Sequence, residues 1–238
     1  MDKPSPDRWL AVWEAGARRH PLDRALLLFA LASPDTPVAE LADAPLGERN
    51  AALMALRSAC FGGRLSGWCG CPACGERMSV ALTSGDLPPP PAADGPVVVD
   101  GHGFARPTSR HLAMLAGIDD PDAAADALLA ACALHPAALP DDRTALRRAV
   151  AVALDEADPW ADLSLDLVCP ACGDQQATAL DIAALLWEEL DAYAGRLLDD
   201  VHQLAWAYGW TEAEILALGE ARRAAYLART SGGRRVVQ

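Results

Sequence analysis

The pentapeptide CPACG occurs twice, at 71–75 and 169–173, and limits what this chain can fold into more than any other feature. Two thiols separated by two residues in a tight turn can both point at one metal ion, and Zn²⁺ takes four such sulfurs tetrahedrally. The proline after each first cysteine restrains the turn, while the glycine after each second one permits backbone angles that let amide hydrogens face the sulfurs. Cys71, Cys74, Cys169 and Cys172 are therefore the candidate ligands of a single zinc ion. A gap of 169 − 74 − 1 = 94 residues separates the pairs, against about 15–20 in compact ribbons. Loop-closure entropy grows only logarithmically with length, so a segment that folds on its own tolerates this gap. Four protein sulfurs close the coordination sphere, which makes the expected ion structural. Free or packed thiols and a redox dithiol are the alternatives. Against the dithiol, the motif occurs twice and strands follow both copies. Cys69, two positions before Cys71, is a substitute ligand, whereas Cys60 and Cys132 fall on apolar helical faces and read as core.

The flanks of the two motifs echo each other. A strand from Leu65 leads into the first CPACG, and Met78, Val80 and Leu82 alternate after it; LSLDLV (163–168) and QQATALDI (175–182) bracket the second. Residues 64–86 and 163–181 thus read as two halves of a zinc-ribbon-like module, corresponding parts of one small sheet. Between them, 87–162 reads as an insertion. It opens with the proline-rich spacer LPPPPAADGP (87–96). VVVDGHGF (97–104) follows as a hairpin turning at Asp100-Gly101, and helices come after Pro107-Thr108-Ser109, over 121–134 and over 140–156. Residues 1–63 carry three helices by period and punctuation: one opening at Pro6 with Ser5 as cap, one from Pro21 to Ser33, and one from Pro45 to Gly62. Residues 182–230 read as C-terminal helices, the first long and capped by Asp181, with a Thr211/Glu214 capping box after Gly209. A flexible tail, 231–238, ends the chain. The expected class is mainly α with a small β component, a helical body around a four-cysteine sheet.

Charge and composition narrow the function. With 33 acidic against 20 basic residues the net charge is −13, which repels phosphate backbones and makes nucleic acid an unexpected partner. Hydrophobic residues make up 52% of the chain, enough for a packed core. The opening MDKPSPDRW lacks the apolar run of a secretion signal, and the longest apolar stretch, ALLLFALA (25–32), is far short of the ~20 residues a membrane span needs. A cytoplasmic location is the expectation, and seven cysteines in a reducing compartment point to metal before disulfides. His20, His102, His111, His135 and His202 are scattered. No phosphate loop, nucleophile elbow or acid–base carboxylate pair is recognisable, so no enzyme is expected. Glu188, Glu189, Asp191, Asp199 and Asp200 read as the solvated side of the long helix.

Several stretches carry a family resemblance: HPLDRALLL (20–28), PLGERNAALMALRSACFG (45–62) leading into CPACGERM (71–78), CPACG (169–173) before DIAALLWEELD (181–191), and AYGWTEAEILAL (207–218). Over most of its length the chain resembles contractile-tail baseplate proteins of the T-even-phage-like hub assembly chaperone family, found also in extracellular contractile injection systems. The resemblance implies a non-enzymatic assembly factor, or chaperone, that binds baseplate hub or spike proteins. A permanent baseplate subunit, incorporated into a phage or phage-tail-like particle, is the alternative it leaves open. A thiol oxidoreductase and a zinc-ribbon nucleic-acid binder are the rivals from other classes. Trp187, Trp206, Tyr208 and Trp210 are the candidate interface anchors, with burial in the protein's own core as the competing reading.

Overall fold

The computed structural model describes residues 3–89 and 95–232. Four helices come first: α1 (Pro6–Gly16), α2 (Pro21–Ala32), α3 (Val38–Asp43) and α4 (Leu46–Phe61). A hairpin of β1 (Arg64–Gly70) and β2 (Arg77–Thr83) follows. The intervening segment holds a second hairpin, β3 (Val97–Val99) with β4 (His102–Phe104), and the helices α5 (Ser109–Leu115), α6 (Pro121–Cys132) and α7 (Thr144–Ala157). A third hairpin, β5 (Ser164–Val168) with β6 (Gln175–Ala179), leads into α8 (Ile182–Tyr208), α9 (Glu212–Leu216) and α10 (Glu220–Gly232).

The protein is mainly helical, as its helical periodicity implies, and its strands pair only as antiparallel hairpins among the described residues. One expectation fails here: β1–β2 and β5–β6 are separate two-stranded sheets rather than halves of one sheet. Their apolar faces and sulfurs meet instead of their edges, with Met78 and Leu167 packed beside Cys71 and Cys169. Helix α3 was not anticipated, because six residues are too few to display a period. Two helices are shorter than their patterns implied. Helix α6 stops at Cys132, where Ala133 bridges to Phe104, and α7 starts at Thr144, whose amide donates to Asp142 Oδ1 at 3.0 Å. Ser5 stands at the N-cap of α1 without a side-chain capping bond. At the other end, α10 continues through Gly232, two residues into the expected tail, while 233–238 and 90–94 of the proline spacer lie outside the described residues.

Local chemistry explains the punctuation that does hold. Asp100 and Gly101 take φ of 50° and 80°, the left-handed pair that a two-residue hairpin turn requires. Asp181 accepts from the Ala184 amide, Gly209 ends α8 at φ 70°, and Thr211 and Glu214 form the expected reciprocal box.

Helix α8 is the spine of the main core. Its Ile182, Leu186 and Leu190 are at most 1% exposed and pack with Leu28 and Phe29 of α2 and Leu53 and Leu56 of α4. A smaller cluster of Phe104, Leu129, Cys132, Leu146 and Val150 lies wholly in the intervening segment. The two are joined by consecutive residues at the start of α4. Leu46 N donates to Pro107 O (2.9 Å) and Gly47 N to Asp158 Oδ2 (3.1 Å). Glu48 pairs with Arg106 (3.0 Å), Arg49 Nη1 donates to Ser109 Oγ (3.1 Å), and Asn50 Nδ2 to Trp160 O (2.8 Å). Asp158 is 1% exposed, and burial raises its carboxyl above the ordinary range. A Cβ on Gly47 would sit 1.6 Å from Asp158 Oδ1, so Gly47→Ala must push a buried carboxyl group off the one amide that donates to it among the described residues. Urea unfolding is expected to show a loss of about 2 kcal/mol for this variant; an unchanged midpoint would show that the joint is looser than this packing implies.

Candidate metal centre

The two CPACG turns are built alike. In the first, Gly75 N donates to Cys71 O (2.8 Å) and Cys71 N to Glu76 O (2.9 Å). In the second, Gly173 N donates to Cys169 O (2.9 Å) and Cys169 N to Asp174 O (2.8 Å). Gly75 and Gly173 both adopt φ 76°, so each turn uses the conformational freedom that only glycine offers cheaply. Repetition of the sequence has become repetition of the backbone.

The turns face each other across the 94-residue gap. Cys71 Sγ lies 3.7 Å from Cys172 Sγ, and Cys74 Sγ lies 3.6 Å from Cys169 Sγ. All four sulfurs fall within 4.8 Å of one another. A tetrahedron of sulfurs around an ion at 2.3 Å has edges of ~3.8 Å, so these separations suit a tetrathiolate metal site. The two first cysteines, Cys71 and Cys169, are buried and the two second ones, Cys74 and Cys172, are exposed. The amide of Cys172, and then that of Ala171, hold the Cys169 thiol down to about 7 from its ordinary 9.0, while the thiols of Cys74 and Cys172, despite the backbone amides of Glu76 and Asp174, are raised by the sulfurs they face. These four cysteines could hold a metal ion, and none of the seven is in a disulfide.

Cys69 lies outside the four-sulfur group. It is partly buried at its edge, where Gln176 Nε2 lies 3.9 Å from its sulfur and donates to Gly70 O at 3.4 Å. Gln176 is a strap between the hairpins that nothing in the sequence singled out. Cys132 is 1% exposed in the smaller core, where burial pushes its thiol up to about 11, and Cys60 packs half-buried against the main one.

No family model, curated protein or solved structure matches the chain. The site therefore stands on its own geometry. Among the described residues no helix is long and apolar enough to cross a membrane. Two of the scattered histidines serve helix starts: His20, the N-cap of α2, accepts from Leu22 N at Nδ1, and His111, the third residue of α5, accepts from the amide of the Thr108 N-cap.

The acidic residues of α8 depart from expectation. Glu189 grips Arg57 through two bonds of 2.7 and 3.0 Å, Asp200 accepts from Arg223 at 2.9 Å, and Asp191 accepts from Trp13 Nε1 at 2.7 Å. Only Glu188 and Asp199 of the five are exposed without such a role among the described residues. The helical period gives a side chain's direction but not the distant cation that arrives there.

The four aromatic candidates divide. Trp187 is buried in the main core. Trp210 lies between Tyr208, stacked at 4.7 Å, and Tyr226, edge-on at 4.8 Å. Trp206 alone stands clear, at 87% exposed.

Proposed function

We propose that Cys71, Cys74, Cys169 and Cys172 hold one structural Zn²⁺, and that the protein is a non-catalytic scaffold that helps assemble the baseplate hub of a contractile tail or injection system by binding its components. The observation that carries the metal reading is the convergence of four sulfurs within 4.8 Å of one another, two pairs of them at 3.6 and 3.7 Å, from two turns remote in sequence. A tetrathiolate centre leaves no open position for a reacting water, so the ion would act as a cross-link that fixes the two hairpins to each other and to the start of α8. Borderline-soft Zn²⁺ suits an all-sulfur set better than Mg²⁺ or Ca²⁺, which take oxygen.

The assembly reading draws on the stretches that resemble the hub assembly chaperone family, and on surface chemistry compatible with protein binding. Leu198, His202 and Trp206 recur at four-residue spacing along α8, and all three are exposed. Exposed tryptophans of this kind anchor many interfaces.

Affinity capture with full-length protein from a host that carries the corresponding tail genes tests this reading. Hub or spike proteins should be enriched, and Trp206→Ala should weaken their retention about tenfold or more. Capture that enriches no baseplate protein would sink the assembly reading and leave the metal reading untouched. Mass spectrometry of purified particles then separates a transient factor, absent from them, from a permanent subunit at fixed stoichiometry.

A further inference from the structure

Four arginines are buried to between 3% and 8% exposure, and three of them face a carboxylate: Arg57 with Glu189, Arg106 with Glu48, and Arg223 with Asp200. Arg49 has no such partner among the described residues. Its Nε and Nη2 donate to Asn50 Oδ1 at 3.1 and 3.0 Å, and its Nη1 to Ser109 Oγ at 3.1 Å, all neutral acceptors. A guanidinium carries five N–H groups, so three bonds leave two without a partner among the described residues. Burial lowers the Arg49 pKa from its ordinary value, and the charge of Asp181, which makes no hydrogen bond to it, opposes that only in part. A buried cation that lacks a counter-charge is costly, and such a cost is tolerated most readily where a ligand supplies the missing charge.

Arg49 lines a cavity of about 660 Å³ between α2, α8 and the segment that separates the two hairpins. This volume lies within the ~300–1,000 Å³ of small-molecule sites, which are mostly apolar with a few placed polar groups. Leu22, Leu112, Leu128 and Trp187 supply apolar wall. The carboxylates that border it, Asp162, Asp181 and Glu188, are all exposed, where solvent screens them. Arg24, the other cation of the lining, is already committed to the carbonyls of Gly16 and Ala17. Arg49 is thus a buried cation with no carboxylate within ion-pair distance among the described residues, while the acidic groups of the lining, Asp181 included, are hydrated.

We propose that this cavity binds a monoanionic amphiphile, with a single carboxylate on Arg49 and an apolar body of medium length along the leucines. The same chemistry is offered by a free alkanoate and by the C-terminal carboxylate of a partner chain that ends in an apolar residue. The site does not depend on the metal or on the assembly reading.

Calorimetric titration of the full-length, metal-loaded protein tests it with four probes: decanoate below its micellar range, 1-decanol, a short peptide ending in Leu-Leu with a free carboxylate, and the same peptide as its amide. At least one of the two anions should saturate one site per chain, about tenfold or more tightly than its uncharged counterpart. Decanoate alone assigns a free amphiphile, the peptide acid alone assigns a partner's chain end, and both together assign the shared chemistry. Arg49→Gln should remove the preference for the anion. Because Arg49 also bonds Asn50 and Ser109, Leu112→Trp provides an independent arm: it fills the cavity from a half-buried position and should abolish binding without disturbing those bonds. Failure of both anions to saturate the folded protein, equal affinity for acid and neutral probes, or binding that survives Leu112→Trp would each overturn the proposal.

Discussion

Full-length protein loaded with zinc and dialysed against a weak chelator is expected to retain one zinc per chain, and Cys169→Ser to retain none. The loss of stability in that variant should exceed ~4 kcal/mol, since loss of a structural metal belongs to the few single-site changes with effects that large. Damage should be local before it is global. Met78 and Leu167 belong to the small cluster around the sulfurs, whereas Leu65 and Leu163, at the far ends of the same hairpins, belong to the main helical core. Hydrogen exchange should therefore accelerate first in the amides near the CPACG turns, with the helices protected until global unfolding. If the four thiols hold an ion as proposed, its removal takes away their cross-link, and the tips of the hairpins have little apolar contact to replace it. Full retention of stability and exchange protection in a metal-free protein would remove the cross-linking role assigned to this centre. A stoichiometric metal other than zinc would instead leave the cross-link intact and change only its identity.

Much of this centre was legible because its determinants are local. Each CPACG carries its own turn, and Gly75 and Gly173 adopt the same positive φ that the motif requires. The turn at Asp100-Gly101 and the caps at Asp181 and Thr211 were readable for the same reason: a few adjacent residues decide them. What the sequence left open was how the two hairpins meet. Strand pattern specifies which side chains share a face, but face-to-face contact through Met78, Leu167 and the sulfurs and edge-to-edge extension of a sheet start from the same alternation. The joint at 46–50 was missed although a signal for it exists. Arg49, Asn50 and Arg57 fall at helical spacing with Leu46, Leu53 and Cys60, so three polar residues lie on the apolar stripe of α4, and all three are buried. Polar groups on such a stripe announce buried partners without naming them. The partners Glu189, Ser109 and Trp160 arrive from 60 to 132 residues away, beyond the reach of any periodicity.

Glu189→Ala should be among the most damaging substitutions outside the metal centre. Arg57 has 4% side-chain exposure, and Glu189 meets it with both carboxylate oxygens, at 2.7 and 3.0 Å. The same guanidinium donates to the carbonyls of Gly62 (2.7 Å) and Arg64 (2.9 Å), so it ties α8 to the link between α4 and β1. A forked ion pair of this kind is geometrically specific, yet the net worth of the pair is smaller than the penalty for breaking it. Truncation of the acid leaves a buried cation with only neutral acceptors, at a cost of about 3 kcal/mol, scaled to the low end because Glu189 keeps 27% side-chain exposure. Arg57→Met offers the contrasting case: it removes the charge and retains much of the apolar stem, which should cost less than Glu189→Ala although it abolishes more hydrogen bonds. Urea midpoints of the two variants and of the double variant decide between these accounts. If the double variant is no more stable than Glu189→Ala alone, the stranded charge is not what makes the single truncation costly, and the carbonyl contacts of Arg57 hold this corner together instead.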